Sequence, residues 1–333
     1  MWTDSLGNPA SLQHESSLAA LNDFVEGLIG SEARAVNILQ AAVVDASPLV
    51  QAYAAAVHMF AETRAASRNA RPFVERAMAS PLKGSPREQG FVRAVRVWVD
   101  GDVRQSIALL EQHVRDFPRD LVALKLAHYH LFNVGDSPGM LRLAQAALPA
   151  AADVPYLHGM LAFAWEQCHL LQEAETAARR ALAMQRKEPW AHHALAHVML
   201  TQGRIHEGHR FLADVSDSWV GLNSFMVTHN WWHQALFALE LDSHDEVLAL
   251  YDGRVWGVAK DYSQDQVNAV SLLARLELAG NDVGDRWQDL ADHMLAHVDD
   301  QVLPFLDLHY LYGLARAGRP QADALLRNIE LHA

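Results

Sequence analysis

Apolar residues recur at three- and four-residue spacing along almost the whole chain, with Ala and Leu dominant, and that spacing marks amphipathic helix. No run of alternating β-branched residues flanks an Asn-Gly or Asp-Gly turn, so no β element is expected. Breakers interrupt the helical pattern at short intervals. Gly101-Asp102, Pro118, Gly135 to Pro138, Pro155, Pro189, Gly203, Gly280 and Pro304 each read as a helix boundary. Between them the pattern predicts helices over 15–29, 33–44, 48–63, 72–80, 86–99, 103–116, 120–133, 138–148, 155–168, 171–184, 189–202, 205–214, 221–240, 244–251, 264–279, 284–297, 304–317 and 320–331.

The helices pair, and the pairs repeat. Pro118, Pro155 and Pro189 each precede or open the first helix of a pair, separated by 37 and then 34 residues. A period near 34 is the tetratricopeptide spacing, in which a helix–turn–helix unit buries its face only by stacking on its neighbours. Ala162 falls where two helices of such a unit cross closely. Ala174, Ala178 and Ala181 would pack the second helix, and Trp165 the bulky slot of the first. The expected fold is all-α: a tetratricopeptide-like α-solenoid of antiparallel helix pairs, tightly curved, with extra flanking helices enclosing an interior pocket. It is read as one domain, 1–333, with N-terminal flanking helices over 1–100, a repeat core over 101–214 and C-terminal pairs over 215–333.

Five first helices carry histidine inside an apolar run: His128, His158, His193 with His197, His229 with His233, and His309. His158, His193 and His309 follow Pro155, Pro189 and Pro304 by three, four and five residues, which places them at one height on a common wall. His193/His197 and His229/His233 are spaced i, i+4, so each pair faces one side of its helix and offers two nitrogen ligands to a metal such as zinc. The metalloprotease version needs Glu after the first His, where this chain has Ala194 and Asn230. His158, His309 or Asp307 are candidate further ligands.

The same imidazoles could instead work metal-free as general acids and bases. His193, His229 and His233 lead the catalytic candidates, with His158 and His197 next. Trp190, Trp232, His128, Glu166, Asp265 and His309 are candidates for holding substrate, Glu166 and Asp265 as carboxylates that fix an imidazole tautomer. The bland reading for any one of these histidines is a core residue bonded to a carbonyl or carboxylate. For Cys168 it is packed core rather than a nucleophile. His113, His206, His209, His244, His293 and His297 lie in polar surroundings and are expected at the surface. RAASRNARP (64–72) and SPREQ (85–89) read as solvated linker ends, Arg286-Trp287 as helix-start packing and Asp252 as a cap.

Composition narrows the partners. The net charge of −13, with Lys and Arg scattered among more numerous acids, argues against nucleic acid and disfavours an anionic membrane surface. Cys168 is the single cysteine, so an intramolecular disulfide and a cysteine-rich zinc site are excluded. The N-terminus has neither a basic start nor an apolar core, and no apolar stretch reaches the roughly 20 residues of a membrane span. A reducing cytoplasm is the expected compartment, and a homodimer is compatible with it.

The stretches HGMLAFAWEQCHLLQEAE (158–175), EPWAHHALAHVMLTQGRIHEGHRFL (188–212), THNWWHQALFALELDSHDEVLALYD (228–252), SLLARLELAGNDVGDRWQDLA (271–291) and SPREQGFVRAVRVWVDGD (85–102) resemble the tetratricopeptide repeat protein 38 family, along nearly the whole chain, with HNWWH the most diagnostic run. Gln167 and Asn268 depart from it, each standing where an acidic residue looks usual, and Asn268 puts a catalytic carboxylate there in doubt. The resemblance implies a closed helical-repeat fold without an established reaction. Two functions are therefore carried forward. The first is a His/Trp-lined pocket that binds and transforms a small polar metabolite by hydrolase- or lyase-like chemistry. The second is a scaffold gripping a peptide in an open groove. The first helices carry His, Trp, Tyr and Met and, apart from Lys125, almost no Lys, which favours the pocket.

Overall fold

A computed structural model describes residues 2–332, His332 by its backbone alone. In chain order the helices are α1 (Ser17–Ile29), α2 (Ile38–Val44), α3 (Pro48–Met59), α4 (Ala66–Met78), α5 (Pro86–Val99), α6 (Val103–Asp116), α7 (Leu121–Asn133), α8 (Ser137–Ala151), α9 (Pro155–Gln167), α10 (Leu171–Met184), α11 (Pro189–Thr201), α12 (Ile205–Val215), α13 (Ser224–Glu240), α14 (His244–Leu250), α15 (Ser263–Leu278), α16 (Arg286–Met294), α17 (Pro304–Arg316) and α18 (Gln321–His332). Two compact units share them. The first comprises Met1–Phe60, Ala65–Val198 and Ser218–Asn223, and the second Ala61–Arg64, Met199–Asp217 and Ser224–Ala333.

The repeat is clearest in its turns. Gly101, Gly135, His169 and Gly203 follow α5, α7, α9 and α11 in the left-handed conformation, with φ of 92°, 76°, 59° and 69°, and they fall at successive steps of 34 residues. Each lets the chain reverse after one further residue into the second helix of its pair, because only a positive φ closes the last helical turn so tightly. Asp242, Gly280 and Gly318 hold the same place after α13, α15 and α17, at the longer steps of 39, 38 and 38 residues. Asp102 and Asp136 then cap the second helices, accepting the amides of Gln105 at 2.9 Å and Gly139 at 2.8 Å. His169 is the one member of the 34-residue series with a side chain to strain. His169→Gly is expected to raise stability by about 0.5–1 kcal/mol in urea unfolding.

Small residues set the helix spacing where the repeat requires it: Ala162, Ala174, Ala178 and Ala181 are fully buried between α9 and α10. In the first unit, α7 begins on a charged buried knot. Asp120 caps Ala123 and accepts from Arg87 Nη1 at 2.7 Å and His113 Nε2 at 2.9 Å, while Arg87 Nη2 reaches the Pro9 carbonyl at 2.8 Å. In the second unit Tyr251, Leu272, Leu273, Leu276, Leu290, Met294 and Leu314 form the core.

Several expectations are corrected. A minimal antiparallel ribbon exists, β1 (Trp2–Thr3) with β2 (Pro9–Ala10), its turn closed by Asp4, whose Oδ1 accepts the Leu6 and Asn8 amides, and its end held by Arg87. The stretch 33–37 is 3-10 helix before α2 begins. The segment 66–72 is not linker but the first half of α4. Ala66, Ala70, Val74 and Ala77 make one buried stripe that carries the helix across the exposed Pro72, where water can take the freed carbonyl. Within SPREQ, Arg87 and Glu88 are buried rather than solvated, and Glu88 closes a capping box with Ser85. His113 and His297 are buried, each bonded to an aspartate that permits it, Asp120 and Asp300. Trp287 does pack at the start of α16, and Asp252 pairs with Arg286 at 2.6 Å.

Candidate functional site

In the first unit, α11 presents His193 and His197 four residues apart, and their Nε2 atoms lie 3.0 Å from one another. Glu166, from the C-terminal turn of α9, binds His197 Nδ1 at 3.1 Å. Its other oxygen is held by Gln167 Nε2 at 2.7 Å, so Gln167 takes the place of an acid by fixing one. A carboxylate on Nδ1 makes that nitrogen the N–H donor and turns the lone pair of Nε2 toward His193. The rings of Phe163 and Trp190 flank His193 at 5.3 and 5.5 Å.

Ligands of a tetrahedral zinc ion sit about 3.3 Å apart, given Zn–N of about 2.0–2.1 Å. The His193–His197 spacing is close to that bite. Without a metal, one proton must sit between the two Nε2 atoms, because two lone pairs at 3.0 Å would repel.

The second unit carries the HNWWH pair on α13. His229 Nδ1 lies 2.9 Å from Asn268 Oδ1, an amide oxygen that can only accept, so Nε2 of His229 again carries the lone pair. Asn268 is oriented in turn, donating to Thr228 Oγ1 at 3.1 Å, and Thr228 Oγ1 lies 3.1 Å from Asp265 Oδ1. Trp232 stacks on His229 at 5.3 Å and 7°, and His233, buried, stands edge-on to both rings.

Asp265 is thus three hydrogen bonds removed from His229 along this chain, and it is Asn268 that takes the direct place. Burial pushes Asp265 up to about 7, against the bonds from Thr228 and Ser224, so it sits near half-protonation at neutral pH. Asn268 is the residue that sequence reasoning undervalued. Its spacing from His229 carries no local signal, since the two meet across α13 and α15.

The remaining candidates have structural partners. His158 Nε2 bonds the Ala152 carbonyl at 2.9 Å, His128 Nε2 the Met140 carbonyl at 3.0 Å, and His309 Nδ1 the Phe305 carbonyl of its own helix at 2.7 Å. Burial, then the charge of Lys125, holds His128 down at about 3, so it stays neutral. Trp190 spends its indole N–H on Ser31 Oγ at 2.9 Å. Burial raises the Cys168 thiol, which disfavours the thiolate a nucleophile needs.

No protein-family model matches the chain. Among solved structures, a Rap protein complexed with competence and sporulation factor is similar over 95% of this chain and 97% of its own, at 10% identity and a TM-score of 0.53. A thermophilic TPR protein of Thermus thermophilus is similar over 63% of this chain and 99% of its own, at 15% identity and a TM-score of 0.41. A human IFIT1 dimer with PPP-AAAA is similar over 90% of this chain and 68% of its own, at 13% identity and a TM-score of 0.49. Identities this low speak of fold alone. The chain is an all-α, tetratricopeptide-like α-solenoid. Among the described residues no helix is long and apolar enough to cross a membrane.

Proposed function

We propose that this chain is a metal-dependent member of the tetratricopeptide repeat protein 38 family, in which the pairs His193/His197 and His229/His233 offer ligands to a zinc-like divalent ion that acts on a small polar metabolite. One observation carries the reading: each pair brings two imidazoles together, with ring centres 4.4 Å apart for His193 and His197 and 4.8 Å apart for His229 and His233. Two further features support it. Glu166 and Asn268 each occupy the Nδ1 of one histidine, the arrangement that orients a metal-binding imidazole and raises its basicity. Trp232 and Trp190 supply apolar surface beside the imidazoles, which keeps water from competing for the ion.

The chemistry follows from the coordination each pair can supply. Two imidazoles leave positions of a tetrahedral zinc ion for water or a substrate oxygen. An ion held there would supply Lewis-acid chemistry on a carbonyl or on bound water, and a neighbouring imidazole would take or give the proton. Hydrolysis or elimination of a small polar compound is the matching reaction class.

The test is elemental analysis of the purified protein, paired with thermal melts in zinc and in chelator. About one equivalent of metal and a zinc-dependent rise in Tm are expected, both abolished in His229→Ala/His233→Ala and retained in His158→Ala. Because imidazole must be neutral to bind, the zinc effect should weaken as pH falls. No metal and no zinc-dependent shift in the unmodified chain would sink the proposal.

A scaffold role is the second reading, favoured by the near end-to-end likeness to a Rap protein complexed with a factor. It predicts that the His229→Ala/His233→Ala variant keeps full cellular function.

A further inference from the structure

Lys125 is one of four lysines in the chain, with Lys83, Lys187 and Lys260. Lys187 is paired with Glu32 at 2.7 Å and Lys260 with Asp289 at 2.8 Å, and Lys83 is exposed. Lys125 differs from all three. It lies on α7, mostly buried, with its ammonium nitrogen 3.3 Å from the centre of the Trp190 indole ring. Glu188, the residue before α11, is the carboxylate whose charge acts on it. Glu188 is itself fully buried, one oxygen accepting the Ala191 amide and Oε1 without a partner.

We propose that Lys125 is a nucleophilic amine that forms an imine with a small aldehyde or ketone against the Trp190 face, a ring that also flanks His193. The geometry gives three reasons. The Trp190 face fixes the position of Nζ, 3.3 Å from the ring centre, its quadrupole favouring the ammonium form while burial opposes it. A buried carboxylic acid beside it can hydrogen-bond a carbonyl oxygen, and Glu188 Oε1 has the capacity unused. The surroundings are apolar, which disfavours the charged form of both groups.

Burial lowers Lys125 to about 7, the charge of Glu188 opposing, and raises Glu188 to about 8. The titratable groups that act on Lys125 are therefore Glu188 on the α11 side and His128 on its own helix, and His128 stays neutral. At pH 7 an ordinary lysine is neutral in roughly one molecule in two thousand. An amine titrating near 7 is about half neutral, so roughly a thousandfold more of it can attack.

The step balances without a further reagent. The Nζ lone pair attacks the carbonyl carbon and forms the C–N bond. The two amine hydrogens leave with the carbonyl oxygen as water, and the C=N bond remains. The ligand class is a small compound with a free aldehyde or ketone.

The experiment treats the full-length protein at pH 7 with propionaldehyde and cyanoborohydride, which supplies the hydride that traps the imine, and follows each lysine by peptide mass mapping. Lys125 should be alkylated at least about tenfold faster than Lys83, its lower basicity taking back part of the neutral-amine advantage. Its rate should level off above pH 8, whereas that of Lys83 should keep rising. Lys125→Met, which keeps the length of the side chain without the amine, should remove the fast phase, and a cooperative thermal melt should show that the variant is folded. Labelling of Lys125 no faster than Lys83, labelling only after unfolding in urea, or a pH profile parallel to that of Lys83 would each overturn the assignment.

Discussion

Asp120→Ala is expected to lower the unfolding free energy by about 3–5 kcal/mol, read from the midpoint of urea unfolding. The size of the effect comes from what remains. Arg87 and His113 are both buried, and the Asp120 carboxylate is the acceptor for each. Removing it leaves a buried guanidinium charge without its counter-ion and leaves the Ala123 amide of α7 uncapped. Asp120→Asn should cost less, because the amide oxygen can still cap the helix.

The same knot sets an acid limit. Burial alone would raise Asp120, but the hydrogen bond from His113 and the charge of Arg87 outweigh it and hold the carboxyl at about 2, below its ordinary 3.8. A carboxyl depressed in the folded state stabilises it at pH values above the unfolded pKa. That stabilisation, about 2.5 kcal/mol, is lost as pH falls from near 4 toward 2. Unfolding curves between pH 5 and 2 should show the loss in the unmodified protein and a much flatter response in Asp120→Asn. A variant with an equally steep acid limb would show that other carboxylates set it.

Gly159→Ala is the second large expectation, a loss of about 2–4 kcal/mol. A methyl at that position on α9 would overlap both carboxylate oxygens of Glu188. Glu188 is fully buried and holds the Ala191 amide at the start of α11, so it has no solvated place to retreat to without giving up that bond. A double-mutant cycle with Glu188→Ala isolates the clash. If it is the cause, Gly159→Ala should cost at least about 1 kcal/mol less once Glu188 is truncated. Equal costs in both backgrounds would place the strain elsewhere on α9.

Much of the candidate chemistry was legible because it is local. His193/His197 and His229/His233 share a helix face by spacing alone, and the structure keeps both pairs together. The common wall of five histidine stretches was less secure. A proline four residues back fixes a side chain's height on a helix, but not which carbonyl comes within reach of it. His158, His128 and His309 therefore met backbone oxygens, two of them supplied from outside their own helix.

The sequence by itself determined the helices, their order and their pairing. These depend on apolar spacing within one helix and on turn residues that must take positive φ, and both are properties of short stretches. Tertiary structure alone decided which polar groups matter. Glu166 meets His197 across 31 residues and Asn268 meets His229 across 39, while Lys125 loses its water only when Trp190 of a different helix closes over it. Hydrogen-bond partners and desolvation are set by what packing brings near, and no spacing along the chain encodes them.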